Sequence, residues 1–160
     1  MSDVKKLAII ATKGSLDWAY PPFILASTAA ALGYETQIFF TFYGLQLLKK
    51  KLSLEVTPLG NPGMPMPMGM DKWFPVILTA LPGMQGMMTM MMKKKMRDKG
   101  VASIEELRDL CREAEVKLIA CQMTVDLFDL NPAEFIDGVE YAGAAAFFEF
   151  AGESDICLYI

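Results

Sequence analysis

The segment VKLIACQMTVDLFD, residues 116–129, decides the fold class of this chain. Its first six residues are apolar apart from one lysine and have the length of a buried β-strand, and a short helix is expected to follow from Thr124. Cys121 is the last residue of that strand. Strands that are apolar on both faces are typical of a parallel sheet covered by helices on both sides, which is the α/β class.

Four other segments of the chain predict strands of the same sheet. They are residues 4–11, 35–42, 54–59 and 155–160. Helices are expected at residues 17–32, 43–51, 103–114 and 143–151. Ser103 and Glu106 fit a capping box, Gly33 suits the end of the first helix, and Asn131 before Pro132 predicts a further N-cap. The pattern therefore predicts a five-stranded parallel sheet whose strand order stays open.

A methionine-rich segment interrupts this alternation, because eleven of the thirteen methionines fall between Met64 and Met96. We interpret the chain as one domain over residues 1–160 with this insertion at about residues 61–100. Residues 74–92 carry no charge, which is nearly the length of a membrane span, but prolines and glycines within them disfavour one. We expect a buried helix or a helix that contacts another subunit. Contact with a membrane surface is the alternative, because basic residues follow from Lys93.

Composition excludes several kinds of chemistry. The chain has no histidine, so it lacks Ser-His-Asp and Cys-His catalysis and the commonest zinc ligand. The three cysteines have no CxxC spacing, and we expect neither a metal nor another cofactor. The net charge of −4 gives no general attraction to nucleic acid. The N-terminal apolar run is short and ends at Lys13, which predicts a strand rather than a signal peptide, and hence a cytoplasmic protein with reduced thiols.

Cys121 is the candidate reactive group. Backbone N–H groups at the start of the following helix can interact with a sulfur anion at this strand end, although a buried, inert thiol fits the position equally well. Cys111 lies late in the preceding helix, whose end is expected at the opposite edge of the sheet, beyond the reach of a disulfide to Cys121. We therefore expect Cys111 to be structural and Cys157, in the last strand, to lie in the core.

Three segments are expected to meet at the carboxyl edge of the sheet, where ligands of parallel sheets bind. They are residues 12–15, 41–44 and 121–126. The residues that would line a site there are Thr12, Lys13, Gly14, Phe42, Tyr43, Gln122 and Met123. Residues 12–15 join a strand to a helix and could cradle a phosphate, but they lack both the GxGxxG and the P-loop pattern.

Residues 116–129, together with EFIDGV at residues 134–139, resemble the DsrE/DsrF-like sulfurtransferase family. The run MPMP, followed by LPGM and MMMKK, is similar to the larger, methionine-rich branch of that family. The resemblance covers nearly the whole chain. It implies a three-layer α/β/α fold around a five-stranded parallel sheet, a homo-oligomer, and a cysteine that carries sulfur as a persulfide.

The same resemblance implies that Cys121 is the sulfur-carrying residue and that some members have a second functional cysteine near the position of Cys111. It implies sulfur donors and acceptors of TusA or rhodanese type, and association of some relatives with membranes through the methionine-rich segment. Asp126 would oppose a nearby thiolate and receives no catalytic role. Two other function classes stay open: a non-catalytic oligomeric or membrane-adjacent scaffold, and a nucleotide- or flavin-binding module that uses residues 12–15.

Overall fold

The computed structural model describes residues 4–58 and 80–160, and these residues form two compact units. The sheet unit consists of residues 4–14, 18–52 and 103–160. The second unit consists of residues 15–17, 53–58 and 80–102. The first half of the methionine-rich insertion lies outside the described residues, and its place within a single domain stays a prediction.

The sheet unit contains the five-stranded, fully parallel sheet that the sequence predicts. Its strands are β1 (Lys6–Ala11), β2 (Glu35–Phe40), β3 (Lys117–Cys121), β4 (Val139–Ala142) and β5 (Ile156–Tyr159). Their order across the sheet is β4-β3-β2-β1-β5, and every neighbouring pair is parallel. Nearly all residues of the three central strands are buried, because neighbouring strands and helices cover them.

The described residues also contain five α-helices. They are α1 (Leu16–Ala31), α2 (Met84–Asp98), α3 (Ile104–Glu113), α4 (Gln122–Leu127) and α5 (Ala144–Ala151). The predicted capping box of α3 is confirmed, since Ser103 Oγ accepts from Glu106 N at 3.2 Å and the Glu106 carboxylate accepts from Ser103 N at 2.6 Å. The helix expected at residues 43–51 is a 3₁₀ helix, Phe42–Leu48, which ends before the three lysines.

Helices cover both faces of the sheet and so produce three layers. On one face, Phe23 of α1 packs against Phe40 of β2 with ring centroids 5.9 Å apart, and Cys111 of α3 contacts Phe23. On the other face, Phe147 of α5 packs against Phe39 with ring centroids 5.2 Å apart. Because neighbouring residues of a strand point to opposite faces, α1 and α3 lie on one side of the sheet and α5 on the other.

The strand predicted at residues 54–59 is wrong. Residues 53–57 have no regular secondary structure, and residue 59 lies outside the described part of the chain. Apolar side chains of the segment are buried, but its backbone bonds to side chains of α2. Val56 N donates to Thr89 Oγ1 at 3.0 Å, and Val56 O accepts from Gln85 Nε2 at 3.0 Å. Alternating apolar and polar residues indicate that one side of a segment is buried. A β-strand also requires a neighbouring strand to pair with, and residues 53–57 have none among the described residues.

β4 takes the fifth place in the sheet, and the sequence reading misses it. The strand has only four residues, and two of them, Glu140 and Tyr141, are exposed, so its apolar pattern is weak. It begins after Gly138, whose φ of 84° lies in the left-handed region that glycine adopts without steric cost. That glycine is the sequence feature that could have located the start of the strand.

The ends of β1 and β2 approach so closely that position 44 has no room for a side chain. A Cβ added at Gly44 would overlap the carbonyl group of Ala11, whereas at Gly86 of α2 it would meet no described atom within 4 Å. We expect Gly44→Ala to lower the free energy of unfolding by about 1–3 kcal/mol through overpacking. Gly86→Ala should raise it by about 0.5–1 kcal/mol, because alanine is the better helix former. Urea unfolding of both variants measures the difference, and equal effects would contradict the close approach.

Candidate functional site

The three segments expected at the carboxyl edge of the sheet do meet there. Gly44 N donates to Thr12 O at 3.1 Å, which joins the loops after β1 and β2. Thr41 Oγ1 lies 3.2 Å from Thr124 Oγ1, which joins the loop after β2 to α4. Thr124 is fully buried, so this pair of hydroxyl groups fixes the start of α4 against the end of β2.

Cys121 is the last residue of β3 and the N-cap of α4. Its side chain makes no capping hydrogen bond, so the helix start does not engage the thiol. The residue is only 5 % exposed and belongs to an apolar cluster with Phe39, Ile119 and Phe147. The thiol therefore lies at the predicted edge of the sheet, with apolar side chains packed against it.

Gln122, Met123 and Asp126 of α4 are exposed, and one hydrogen bond joins two of them. Gln122 Nε2 donates to Asp126 Oδ1 at 2.7 Å, across one turn of α4. Met123 points its apolar side chain into solvent. The hydrogen bond holds the Asp126 carboxylate against its own helix, which agrees with assigning it no catalytic role.

Phe42, Tyr43 and Phe128 form an exposed aromatic group at the same edge. The Tyr43 ring stacks on Phe128 and the Phe42 ring meets Phe128 edge-on, with 6.0 Å between centroids in each pair. Phe42 has a φ of 48°, uncommon for a residue with a side chain, and its N–H donates to Thr124 Oγ1 at 3.4 Å. The sequence analysis names Phe42 and Tyr43 but not Phe128. Phe128 follows Thr124 by four residues, which is one helical turn, and this spacing could have placed it on the same side of α4 as Thr124.

The loop after β1 is not an open phosphate cradle. Thr12 directs both its N–H and its hydroxyl group to the carbonyl oxygen of Ile160, at 2.9 and 3.0 Å. Lys13 Nζ lies 3.1 Å from the centroid of the Trp18 ring. A Cβ at Gly14 would overlap a carbonyl group of the loop after β2, so this glycine serves the contact between two loops. The N–H and hydroxyl groups of Thr12 and the ammonium group of Lys13 are therefore engaged within the protein.

Cys111 lies on the opposite face of the sheet from Cys121. Its thiol is fully buried and donates to the carbonyl oxygen of Phe23 at 3.4 Å. Burial raises the pKa of Cys111 to about 12. A thiol with that pKa stays protonated at neutral pH, and the thiolate is the reactive form. The position agrees with the expected structural role, and it prevents a disulfide with Cys121 within one subunit.

Cys157 is exposed, so the prediction that it lies in the core is wrong. It belongs to β5, which is an edge strand of the sheet. Its neighbours Ile156 and Tyr159 are also exposed. An apolar run identifies a strand, but it does not reveal whether a helix or another strand covers that strand.

A cavity of about 290 Å³ opens elsewhere in the sheet unit. Its lining residues are Lys49, Lys50, Lys51 and Glu134. Lys49 Nζ pairs with the Glu134 carboxylate at 3.4 Å, and Lys50 Nζ donates to the carbonyl oxygen of Ala133 at 3.0 Å. None of the predicted site residues lines this cavity.

Residues 4–58 and 80–160 hold neither a metal-binding cluster of side chains nor a membrane-spanning helix. No group of three His, Cys, Asp or Glu side chains in these residues is placed to hold a metal ion. No helix in this part of the chain is long and apolar enough to cross a bilayer. The uncharged segment at residues 74–92 begins outside the described part.

Known proteins resemble this chain over nearly its whole length. The sequence profile of the DsrE/DsrF/DrsH-like family matches residues 3–159. The sulfur carrier protein DsrE2 of Allochromatium vinosum is 89 % identical over 156 residues, which cover 98 % of each chain. The uncharacterized protein YrkE of Bacillus subtilis is 35 % identical over 98 % of this chain and 97 % of its own. The crystal structure of the ychN protein from E. coli shares the fold, with a TM-score of 0.56, 12 % identity, and coverage of 98 % of this chain and 100 % of that one.

The buried thiol of Cys111 makes the stability of the protein depend on pH. The ordinary pKa of the group is 9.0, and the fold raises it to about 12. The folded state therefore keeps a proton that the unfolded chain releases, so the stabilising contribution is complete below pH 9 and is lost as the pH rises toward 12. We expect the wild type to lose more stability than Cys111→Ala between about pH 8 and about pH 10.5, as urea unfolding measures. Identical losses in the two proteins would contradict the raised pKa.

Proposed function

Since this chain belongs to the DsrE/DsrF/DrsH-like family, we propose that it is a sulfur carrier in which Cys121 accepts sulfane sulfur as a persulfide and passes it to another protein. The observation that carries the proposal is the position of Cys121, a thiol at the carboxyl end of a central parallel strand where a helix begins. The name of the 89 % identical relative, a sulfur carrier protein, supports the same activity.

The proposed transfer is an exchange between a thiolate and a persulfide. The thiolate of Cys121 attacks the outer sulfur of a donor R–S–SH, a new S–S bond forms, the donor's own S–S bond breaks, and the donor leaves as R–S⁻. The proton stays on the transferred sulfur, so Cys121 then carries –S–SH and no net oxidation occurs. The thiolate of an acceptor attacks the same outer sulfur, and Cys121 leaves as a thiolate.

This exchange requires little catalytic machinery, which suits a chain without histidine. Cys121 stands at the N-cap of α4, although its thiol makes no capping hydrogen bond in this arrangement. No proton relay, metal or cofactor takes part in the proposed reaction.

The aromatic group beside the thiol suits contact with a partner protein. Phe42, Tyr43 and Phe128 are exposed together at the carboxyl edge, and Met123 adds a further exposed apolar side chain. Grouped apolar and aromatic side chains on a surface are typical of protein contacts. We propose that sulfur donors and acceptors of TusA or rhodanese type approach Cys121 across this group.

The burial of Cys121 favours one alternative, a non-catalytic scaffold in which the thiol only packs. In a scaffold the thiol would stay inert toward persulfides, so the two functions make opposite predictions. The nucleotide- or flavin-binding alternative has less support, because Thr12 and Lys13 are engaged within the protein.

We further propose a homo-oligomer whose contacts include the methionine-rich insertion. On α2, the side chains of Met87, Met90 and Met91 are exposed, and Thr89 is the buried residue of the helix. A helix with so many exposed apolar side chains is typical of a surface that another subunit covers. The basic stretch at residues 93–99 makes the surface of a membrane the alternative contact. We place the protein in the cytoplasm in either case.

Persulfide loading tests the sulfur carrier function. Wild type, Cys121→Ser, Cys111→Ser and Cys157→Ser are incubated with a small-molecule persulfide donor, and intact mass spectrometry counts added sulfur atoms that a reductant removes. We expect the wild type, Cys111→Ser and Cys157→Ser each to gain one sulfur atom at Cys121. Cys121→Ser should lack this atom. Cys157 is exposed and can take up a second sulfur, which its own variant identifies.

Two outcomes would count against this function. Equal loading of Cys121→Ser and the wild type would assign the sulfur to another cysteine. The absence of loading at Cys121 in every protein would favour the scaffold.

Sedimentation tests the oligomer. We expect the wild type to sediment above the mass of one chain at micromolar concentration, and Met90→Lys to shift the distribution toward the monomer, because a charge enters an apolar contact. Leu32→Lys is the matched control, since Leu32 on α1 is as exposed as Met90, at 73 % each. A wild type that sediments as a monomer, or equal effects of both substitutions, would argue against contacts through α2.

A further inference from the structure

The face of the sheet that carries Cys121 has a single helical cover within the sheet unit, and the topology explains why. Strands β1 to β4 follow one another across the sheet in one direction, and right-handed crossovers place the helices that connect them on one face. β5 returns to the far edge, beyond β1. The same handedness places α5, which connects β4 to β5, on the other face.

Phe147 is the buried side chain by which the N-terminal half of α5 packs on this face, and its ring lies 5.2 Å from that of Phe39. Phe150 and Ala151, in the C-terminal half, are partly buried against the same apolar cluster. The register partner of Phe39 in β3 is Ile119. Cys121 follows two residues later on the same face, a step of about 6.6 Å, and joins the same apolar cluster. The Phe147 ring therefore covers the position next to the thiol.

The two ends of α5 are held differently. Beyond its C-terminal end, Lys6 Nζ pairs with the Glu153 carboxylate at 2.7 Å and lies 5.7 Å from the centroid of the Phe150 ring. At its N-terminal end, Gly143 provides no side-chain capping bond. An eight-residue helix is too short to be stable by itself, so the N-terminal half depends on the packing of Phe147.

A buried polar group weakens the packing on the same face. Gln37 lies on the side of β2 that carries Phe39 and is buried, and its Nε2 has no hydrogen-bond partner among the described residues. An unpaired buried amide raises the free energy of the closed arrangement.

We propose that Phe147 is the gate of Cys121: the thiol reacts only when the N-terminal half of α5 moves and withdraws the Phe147 ring from the apolar cluster. The purpose of the gate rests on the proposed function, because a sulfur carrier must expose its sulfur to partners. The gating itself is a property of the fold. The closed state protects the thiol from reagents in solution, and the open state presents it.

Labelling kinetics test the gate. Native wild type and variants react with iodoacetamide, and peptide mass spectrometry gives the rate at each cysteine. Phe147→Leu keeps an apolar but smaller side chain and should raise the rate at Cys121 by at least about fivefold. The matched control is Phe23→Leu, which shortens a similarly buried phenylalanine on the opposite face and should leave that rate within about twofold of the wild type.

A second variant tests the gate in the opposite direction. Gly143 has an extended backbone, with φ of −92° and ψ of 178°, and a Cβ there meets no described atom within 4 Å. Gly143→Ser can therefore cap α5, and because serine is only slightly better than glycine at an N-cap, labelling of Cys121 should slow by about 1.5-fold to twofold. The rate at Cys157 in the same sample is the internal reference, so the ratio of the two rates resolves a change of this size. Equal acceleration by Phe147→Leu and Phe23→Leu, or no acceleration by Phe147→Leu, overturns the gate. If Phe147→Leu does not fold, labelling of Gly143→Ser decides, and unchanged labelling overturns the gate.

Persulfide loading of the same variants separates the gate from the proposed function. Faster alkylation of Phe147→Leu without sulfur uptake by any variant means that the gate exists and the carrier function fails. Sulfur uptake at Cys121 of the wild type supports the carrier function. If Phe147→Leu then shows the same rate of alkylation and the same rate of sulfur uptake at Cys121 as the wild type, the carrier function holds and the gate fails.

Discussion

The handedness of strand crossovers is the constraint on which the rest of this structure depends. Four strands advance across the sheet in one direction, so α1 and α3 share one face, and the single return to β5 leaves the other face to α5. The burial of Cys121 near α5, the place of Cys111 on the opposite face and the exposure of Cys157 on an edge strand all follow. The three cysteines thus acquire three different environments from the topology.

The parts of the fold that local sequence determines were predictable. The central strands β1, β2 and β3 are apolar runs, and the capping box at Ser103 is a local pair of hydrogen bonds. Strand pairing is not local, which is why the reading failed at two places. Residues 53–57 have a strand-like pattern but bond to side chains of α2, whereas the weakly apolar β4 finds a partner in β3.

The candidate site was predictable to the same extent. The rule that strand ends converge at one edge correctly brought the loops at Thr12, Thr41 and Cys121 together. The rule does not predict whether a helix packs over a given strand end. Whether a thiol at a strand end is open depends on the helix that crosses that face, and that helix enters the sequence more than twenty residues after Cys121. The prediction for Cys157 is wrong for the same reason. Strand order decides which strand lies at the edge of the sheet, and a strand at the edge has a neighbour on one side only.

Burial alone does not separate a reactive thiol from an inert one here, since Cys111 and Cys121 are both buried. The difference lies in what must move to expose each of them. Cys111 lies between long helices, donates to the Phe23 carbonyl and has a pKa of about 12. Cys121 lies at a strand end in a cluster that an eight-residue helix covers with one buried ring and two partly buried side chains. Local opening costs less free energy where fewer buried contacts break, so the chemistry open to each thiol is decided by the stability of its cover.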